Sequence, residues 1–120
     1  MNRIILMGNI SSDIETRLSA DGNNQITMFN IAINRRNNDK NGNRPTDFFK
    51  IKTFGNTAKF VEKYFEKGNK ILIEGRMENN NWTDENGVKH YDTDYIAEQV
   101  YFCSNKRDTF TTVTDENLPF

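Results

Sequence analysis

Apolar and polar residues alternate along several stretches of this chain, the mark of strands that bury one face. Ile4, Leu6, Gly8 and Ile10 open a first strand, with a glycine where another backbone can approach. Asp21-Gly22 signals a turn, and Gln25 to Asn34 reads as a second strand with Phe29, Ile31 and Ile33 on one face. Arg35 to Thr46 has no apolar residue and reads as a long, basic, flexible loop at a hairpin end. The third strand covers residues 48–54, with Phe49, Ile51 and Thr53 on its core side. The period then changes. Asn56 is placed to cap a helix from Thr57 to about Lys67, with Ala58, Val61 and Phe65 on its packing face and Gly68 closing it. A fourth strand runs from Lys70 to Asn79, with Ile71, Ile73 and Met77 on one side. Asn86-Gly87 signals a hairpin, and the fifth strand covers His90 to Phe102.

Three strands, one helix and two strands match the element order of an OB-fold. The expected class is mainly β: a five-stranded Greek-key barrel with one helix between strands three and four. Such barrels bind oligonucleotides or oligosaccharides on the face of strands two and three and on the 1–2 and 4–5 loops. An unrelated α+β sandwich could be built from the same elements.

The third strand is the most telling segment. Its second face carries Phe48, Lys50, Lys52 and Phe54, two cations flanked by two aromatics on the side that should meet water. Aromatic rings stack on unpaired bases, and lysines neutralise the phosphates between them. The alternative is a strand buried on both faces, with lysine stems reaching out to solvent.

Charge changes the picture next. The net charge is only −1, unlike a generally basic nucleic-acid binder. Residues 35–76, however, hold eleven basic and five acidic side chains, net +6, while residues 77–104 hold one basic and six acidic, net −5. The middle third can therefore supply a positive groove without a basic whole. No run of 18 apolar residues is present and the start goes directly into a strand pattern, so neither a membrane span nor a signal segment is expected. A lone cysteine, Cys103, forms no internal disulfide and fits a reducing cytoplasm as a small apolar filler.

Several short motifs now combine. Met1-Asn2-Arg3-Ile4-Ile5-Leu6-Met7-Gly8-Asn9 opens the chain, and Phe29-Asn30-Ile31-Ala32-Ile33-Asn34-Arg35 fills the second strand. Asp47-Phe48, Phe54-Gly55, Lys67-Gly68, Ile73-Glu74-Gly75-Arg76 and Trp82-Thr83-Asp84 follow in order, and the chain closes on Asp115-Glu116-Asn117-Leu118-Pro119-Phe120. Over nearly its whole length the sequence resembles bacterial and phage single-stranded-DNA-binding proteins. The resemblance implies base stacking on Phe48, Phe54 and Trp82. With the strand-three face it points to Lys50, Lys52, Arg35, Arg36, Arg3 and Arg76 as phosphate contacts, drawn from a pool that also holds Lys40, Arg44 and Lys59. Lys50 and Lys52 rank first because they share a face with Phe48 and Phe54. Asn37 stands where the family usually has a further aromatic, so one stacking platform is missing.

The expected organisation is a binding domain over residues 1–104 and a short linker with an acidic tip over residues 105–120. Asp115, Glu116, Leu118, Pro119 and Phe120 suit a small apolar pocket rimmed by Arg or Lys on a partner protein. The resemblance implies that this tip recruits replication, recombination and repair enzymes. It also implies a homotetramer whose first strands pair between subunits. The family's long Gly/Gln/Pro-rich linker is absent, as in short forms carried by phages, mobile elements or as secondary copies. The implied setting is the bacterial nucleoid or a phage-infected cell.

A metal-dependent nuclease would use carboxylates such as Asp92 and Asp94, but His90 is the only histidine and no metal-ligand spacing or cofactor motif appears. A solvated acidic hairpin accounts better for these acids, and the reading is a non-catalytic protein without a cofactor. An OB-fold protein-interaction module and an RNA binder remain as alternatives, since stacking tolerates either sugar.

Overall fold

The computed structural model describes residues 1–103. It holds β1 (Ile4–Ile10), β2 (Glu15–Leu18), β3 (Gln25–Asn34), β4 (Thr46–Phe54), α1 (Gly55–Tyr64), β5 (Lys70–Thr83) and β6 (Lys89–Phe102). The sheet runs β1-β5-β6-β4-β3-β2, and a further β1–β3 pairing joins its ends into a barrel. The short β2 is the second half of the first barrel strand. Both β1 and β2 pair antiparallel with β3, and the register slips by two residues between Ile10↔Ile31 and Glu15↔Met28. That bulge bends one long strand enough to serve both ends of the sheet. The five-stranded barrel expected from the sequence is therefore present, with its first strand written in two pieces.

Closure needs close backbone approach at two glycines. A Cβ on Gly8 would lie 2.6 Å from the Ala32 oxygen, at the β1–β3 seam. A Cβ on Gly75 would lie 1.7 Å from the Ile96 oxygen, beside the register shift in the β5–β6 ladder. Ile10, Phe29, Ile31, Ile51, Ile71 and Ile73 fill the interior, each of them an inward position of the alternation. Thr27 and Thr53 are also fully buried. Thr27 Oγ1 donates to the Ala58 carbonyl at 3.2 Å, and Thr53 Oγ1 to the Thr27 carbonyl at 3.3 Å, so both hydroxyls are satisfied where α1 meets the sheet.

The helix differs from its sequence reading. Phe54, and not Asn56, occupies the N-cap, without a side-chain cap bond. Gly55 turns the chain at φ 61°, so strand passes to helix with no linker. The helix ends at Tyr64, earlier than Lys67. Phe65 leaves in an extended conformation and is buried, its ring stacked on Phe102 at 4.8 Å. Burial of that ring outweighs another helical turn. Gly68 does take positive φ, in the turn beyond.

Met77 is exposed and not in the core, because β5 continues past the barrel to Thr83 and forms a two-stranded arm with β6. The loop between β3 and β4 is tighter than its composition suggested. Arg35 N–H donates to the Pro45 carbonyl at 2.8 Å, and Asp39 Oδ1 accepts the backbone N–H groups of Asn41 and Asn43. The boundary at residue 104 and the tip residues Asp115, Glu116, Leu118, Pro119 and Phe120 lie outside the described residues.

Candidate nucleic-acid interface

Alternation along β4 sends Phe49, Ile51 and Thr53 inward and leaves Phe48 and Phe54 with 67% and 43% of their surfaces exposed. The two rings are six residues apart, roughly 20 Å along the strand. Between them Lys50 is exposed and Lys52 half-buried. On β3 the cross-strand neighbours are Ala32 beside Phe48, Asn30 beside Lys50, Met28 beside Lys52 and Ile26 beside Phe54. Small or apolar neighbours leave the two ring faces open. The doubly buried strand considered from sequence is thereby excluded.

The arm adds the third ring. Trp82 pairs in register with His90, and their rings stack at 4.1 Å and 14°. Trp82 Nε1–H donates to Asp92 Oδ2 at 2.7 Å. His90 Nε2 in turn meets Asp84 Oδ2 at 2.9 Å. Asp84 also accepts the backbone N–H groups of Asn86 and Val88, closing the turn in which Gly87 takes φ 81°. These bonds, first of all the one with His90, hold the Asp84 carboxyl below the usual aspartate range. Trp82 is thus backed on one side by its own hairpin while 46% of its surface stays exposed. The indole is held in one orientation before any ligand arrives.

A shallow depression lined by Lys50, Lys52, Asn80, Asp92, Thr93 and Asp94 links the β4 face to the arm. Lys52 Nζ bonds Asp94 Oδ2 there at 3.1 Å. The nominated cations divide by their partners. Arg35, at the start of the β3–β4 loop, forms a two-pronged pair with Asp47 at 3.0 Å. That contact lowers the Asp47 carboxyl and raises the guanidinium. Arg76 bonds Glu78 at 2.8 Å and Glu98 at 3.2 Å. It lies two strands from Lys52 on the same outer surface, across Ile96. Arg3, just before β1, pairs with Glu74 on β5, and that hydrogen-bonded ion pair depresses the Glu74 carboxyl. Lys50 and Arg36 carry no side-chain ion pair among the described residues. Exposed ion pairs are weak, so a phosphate can displace most of these carboxylates at small cost.

Sequence reasoning missed His90, Asp92 and Asp94 as structural partners of Trp82 and Lys52. For His90 the usable signal was hairpin symmetry, since positions equidistant from the Asp84–Val88 turn face each other; Asp94 reaches Lys52 through the β4–β6 pairing, which no local signal gives. Among the described residues no group of three or more His, Cys, Asp or Glu could hold a metal ion. No helix among the described residues is long and apolar enough to cross a membrane.

Asp94→Asn should release Lys52 and remove a charge that competes with phosphate. Binding of oligo-dT at low salt should tighten by about fivefold, the equivalent of ~1 kcal/mol for such a pair. The plot of log affinity against log salt should steepen by about 0.7, the value of one added phosphate contact on a single strand. An unchanged slope would show that Lys52 takes no phosphate.

Three comparisons bear on this surface. The model of the single-strand binding protein family matches residues 1–103. A single-stranded DNA-binding protein of Thermotoga maritima is 36% identical over 119 residues, covering 98% of this chain and 84% of that protein. Single-stranded DNA-binding protein 1 of Clostridium acetobutylicum is 32% identical over 109 residues, covering 90% of this chain and 98% of its own. Among solved structures, the Plasmodium falciparum SSB in complex with ssDNA superposes with a TM-score of 0.76 at 22% identity, covering 87% of this chain and 96% of that one. This last likeness supports the barrel fold.

Proposed function

The chain belongs to the single-strand binding protein family, and we propose that it binds single-stranded DNA without sequence preference and without catalysis. One observation carries the reading: Phe48, Phe54 and Trp82 stay exposed on one surface with Lys50 and Lys52 between them. Bases stack on the three rings, and lysines and arginines of the middle third take the phosphates. Every base has a ring face to stack, so every sequence with free bases qualifies. A duplex keeps its bases stacked inside and offers them to none of these rings. The role is to protect and disentangle single strands during replication, recombination or repair, in the bacterial nucleoid or an infected cell.

The reading includes self-association, as a tetramer. Ile5 and Met7 point outward from β1 with 63% and 50% of their surfaces exposed. The ladder to β3 begins only at Asn9, which leaves the edge at Ile4–Met7 without a strand partner among the described residues. An open edge beside an apolar face suits pairing with another copy. The tip residues Asp115, Glu116, Leu118, Pro119 and Phe120 are proposed to recruit partner enzymes.

Titration with oligo-dT, oligo-rU and a matched duplex, read by the fluorescence of Trp82, tests the reading. Oligo-dT should quench strongly and release with salt, while the duplex should not quench. Native mass spectrometry of the same samples should show four chains, also after removal of residues 115–120. Equal affinity for oligo-rU would point to a general single-strand binder. No binding to either oligomer would leave the protein-interaction module.

A further inference from the structure

The β5–β6 arm has two faces, and the chemistry of the second is better suited to a nucleic acid than that of the first. Register pairs share a face. Trp82 and His90 therefore lie on one side, with Asn80 opposite Asp92 and Glu78 opposite Asp94. That side carries three carboxylates. The reverse side sets Lys89, Tyr91 and Thr93 opposite Thr83, Asn81 and Asn79. It carries a cation and no carboxylate.

Tyr91 is the most exposed ring among the described residues, at 74%. Among the described residues no hydrogen bond and no aromatic partner holds its side chain. A buried or structural tyrosine ordinarily finds a partner for its hydroxyl. Lys89 is two residues away on the same strand, hence on the same face, and a shallow depression at the arm takes in Asn81, Thr83, Lys89 and Tyr91 of this side together with Trp82 and His90 of the other. The amide and hydroxyl side chains around it carry no charge that would repel a phosphate.

We propose that the single-strand binding surface continues onto the reverse face of the arm, where Tyr91 stacks a base and Lys89 takes a neighbouring phosphate. The inference rests on the reading of the chain as a single-strand binder and extends it to a second platform. A strand leaving Trp82 crosses the edge of the arm, which is only one hairpin wide. It then moves from a face with three carboxylates to one with none, which favours the crossing for a polyanion.

The test uses the full chain and oligo-dT carrying 5-iododeoxyuridine, with photocrosslinked peptides mapped by mass spectrometry. Crosslinks to Tyr91 are expected alongside those to Phe48, Phe54 and Trp82. Tyr91→Ala should weaken binding to long oligo-dT by roughly 5- to 150-fold, the range for loss of one base–aromatic stack. Tyr91→Phe keeps the ring and should retain full affinity. Crosslinks confined to the other three rings, with Tyr91→Ala binding as the unmodified protein does, would overturn the second platform and leave the function standing. A change in oligomeric mass on Tyr91→Ala, by light scattering, would make the face a contact between copies and also overturn it. Failure of the unmodified protein to bind oligo-dT would sink the functional reading, and this inference with it.

Discussion

Alanine at Phe48, Phe54 and Trp82 together should eliminate measurable binding of single-stranded DNA. Each base–aromatic stack is worth ~1–3 kcal/mol, and three of them amount to about 3–9 kcal/mol if they act independently. Phe48 and Phe54 lie far enough apart on β4 for their effects to add, and Trp82 sits on a different element. The loss should exceed a hundredfold in affinity. The fold should survive, because all three rings are exposed and none belongs to the core. A filter-binding titration with oligo-dT, beside a thermal melt of the same sample, separates the two effects. A triple variant that still binds within tenfold of the unmodified protein would show that phosphate contacts dominate. Among the single substitutions, Trp82→Ala should also free His90 and Asp92, which now hold the indole.

Gly75→Ala should have the largest effect on stability. The added methyl would meet three backbone atoms: the Ile96 oxygen at 1.7 Å, the Ile96 carbonyl carbon at 2.8 Å and the Ala97 Cα at 3.0 Å. A flexible side chain could move aside, but these atoms belong to the β5–β6 ladder at its register shift. Relief requires the two strands to part. Overpacking typically costs about 1–3 kcal/mol where side chains can adjust, and a clash with backbone should exceed that range. Since domains of this size hold only about 5–15 kcal/mol in all, much of the stability would go. Urea denaturation followed by circular dichroism would show a large fall in midpoint. A midpoint equal to that of the unmodified protein would mean that β5 and β6 do not approach so closely at Gly75. Glu74→Ala, one residue away on the outer face, serves as the mild control.

Much of the candidate site was legible because it follows from local period. Phe48, Lys50, Lys52 and Phe54 share a face in any strand, whatever that strand packs against. Trp82 was conspicuous as a large ring among asparagines on a hairpin. The partners of Arg3 and Arg76 were not legible in the sequence. Both arginines were nominated on charge, and the structure sets Arg3 against Glu74 and Arg76 between Glu78 and Glu98, two strands from Lys52. Charge along a chain says nothing about which carboxylate will stand beside it. The helix end was misjudged for a similar reason. Periodicity through Lys67 is a local signal, and the burial of Phe65 against Phe102 comes from a strand far along the chain.

The sequence by itself determined the mainly β class, the single helix after the third barrel strand, the close-approach glycine at position 8, and the outward row of rings and lysines on β4. All of these depend on the order of residues over a few positions. Only the tertiary structure decided that His90 backs Trp82 and that Asp94 bonds Lys52. It also decided that Gly75 is wedged against Ile96 and that Tyr91 stands exposed on the reverse face of the arm. These depend on strand register, which here shifts at Gly75 and again across the β1–β2 bulge. A slip of one residue turns every side chain of a strand to the other face, and register is set by the closing of the whole barrel.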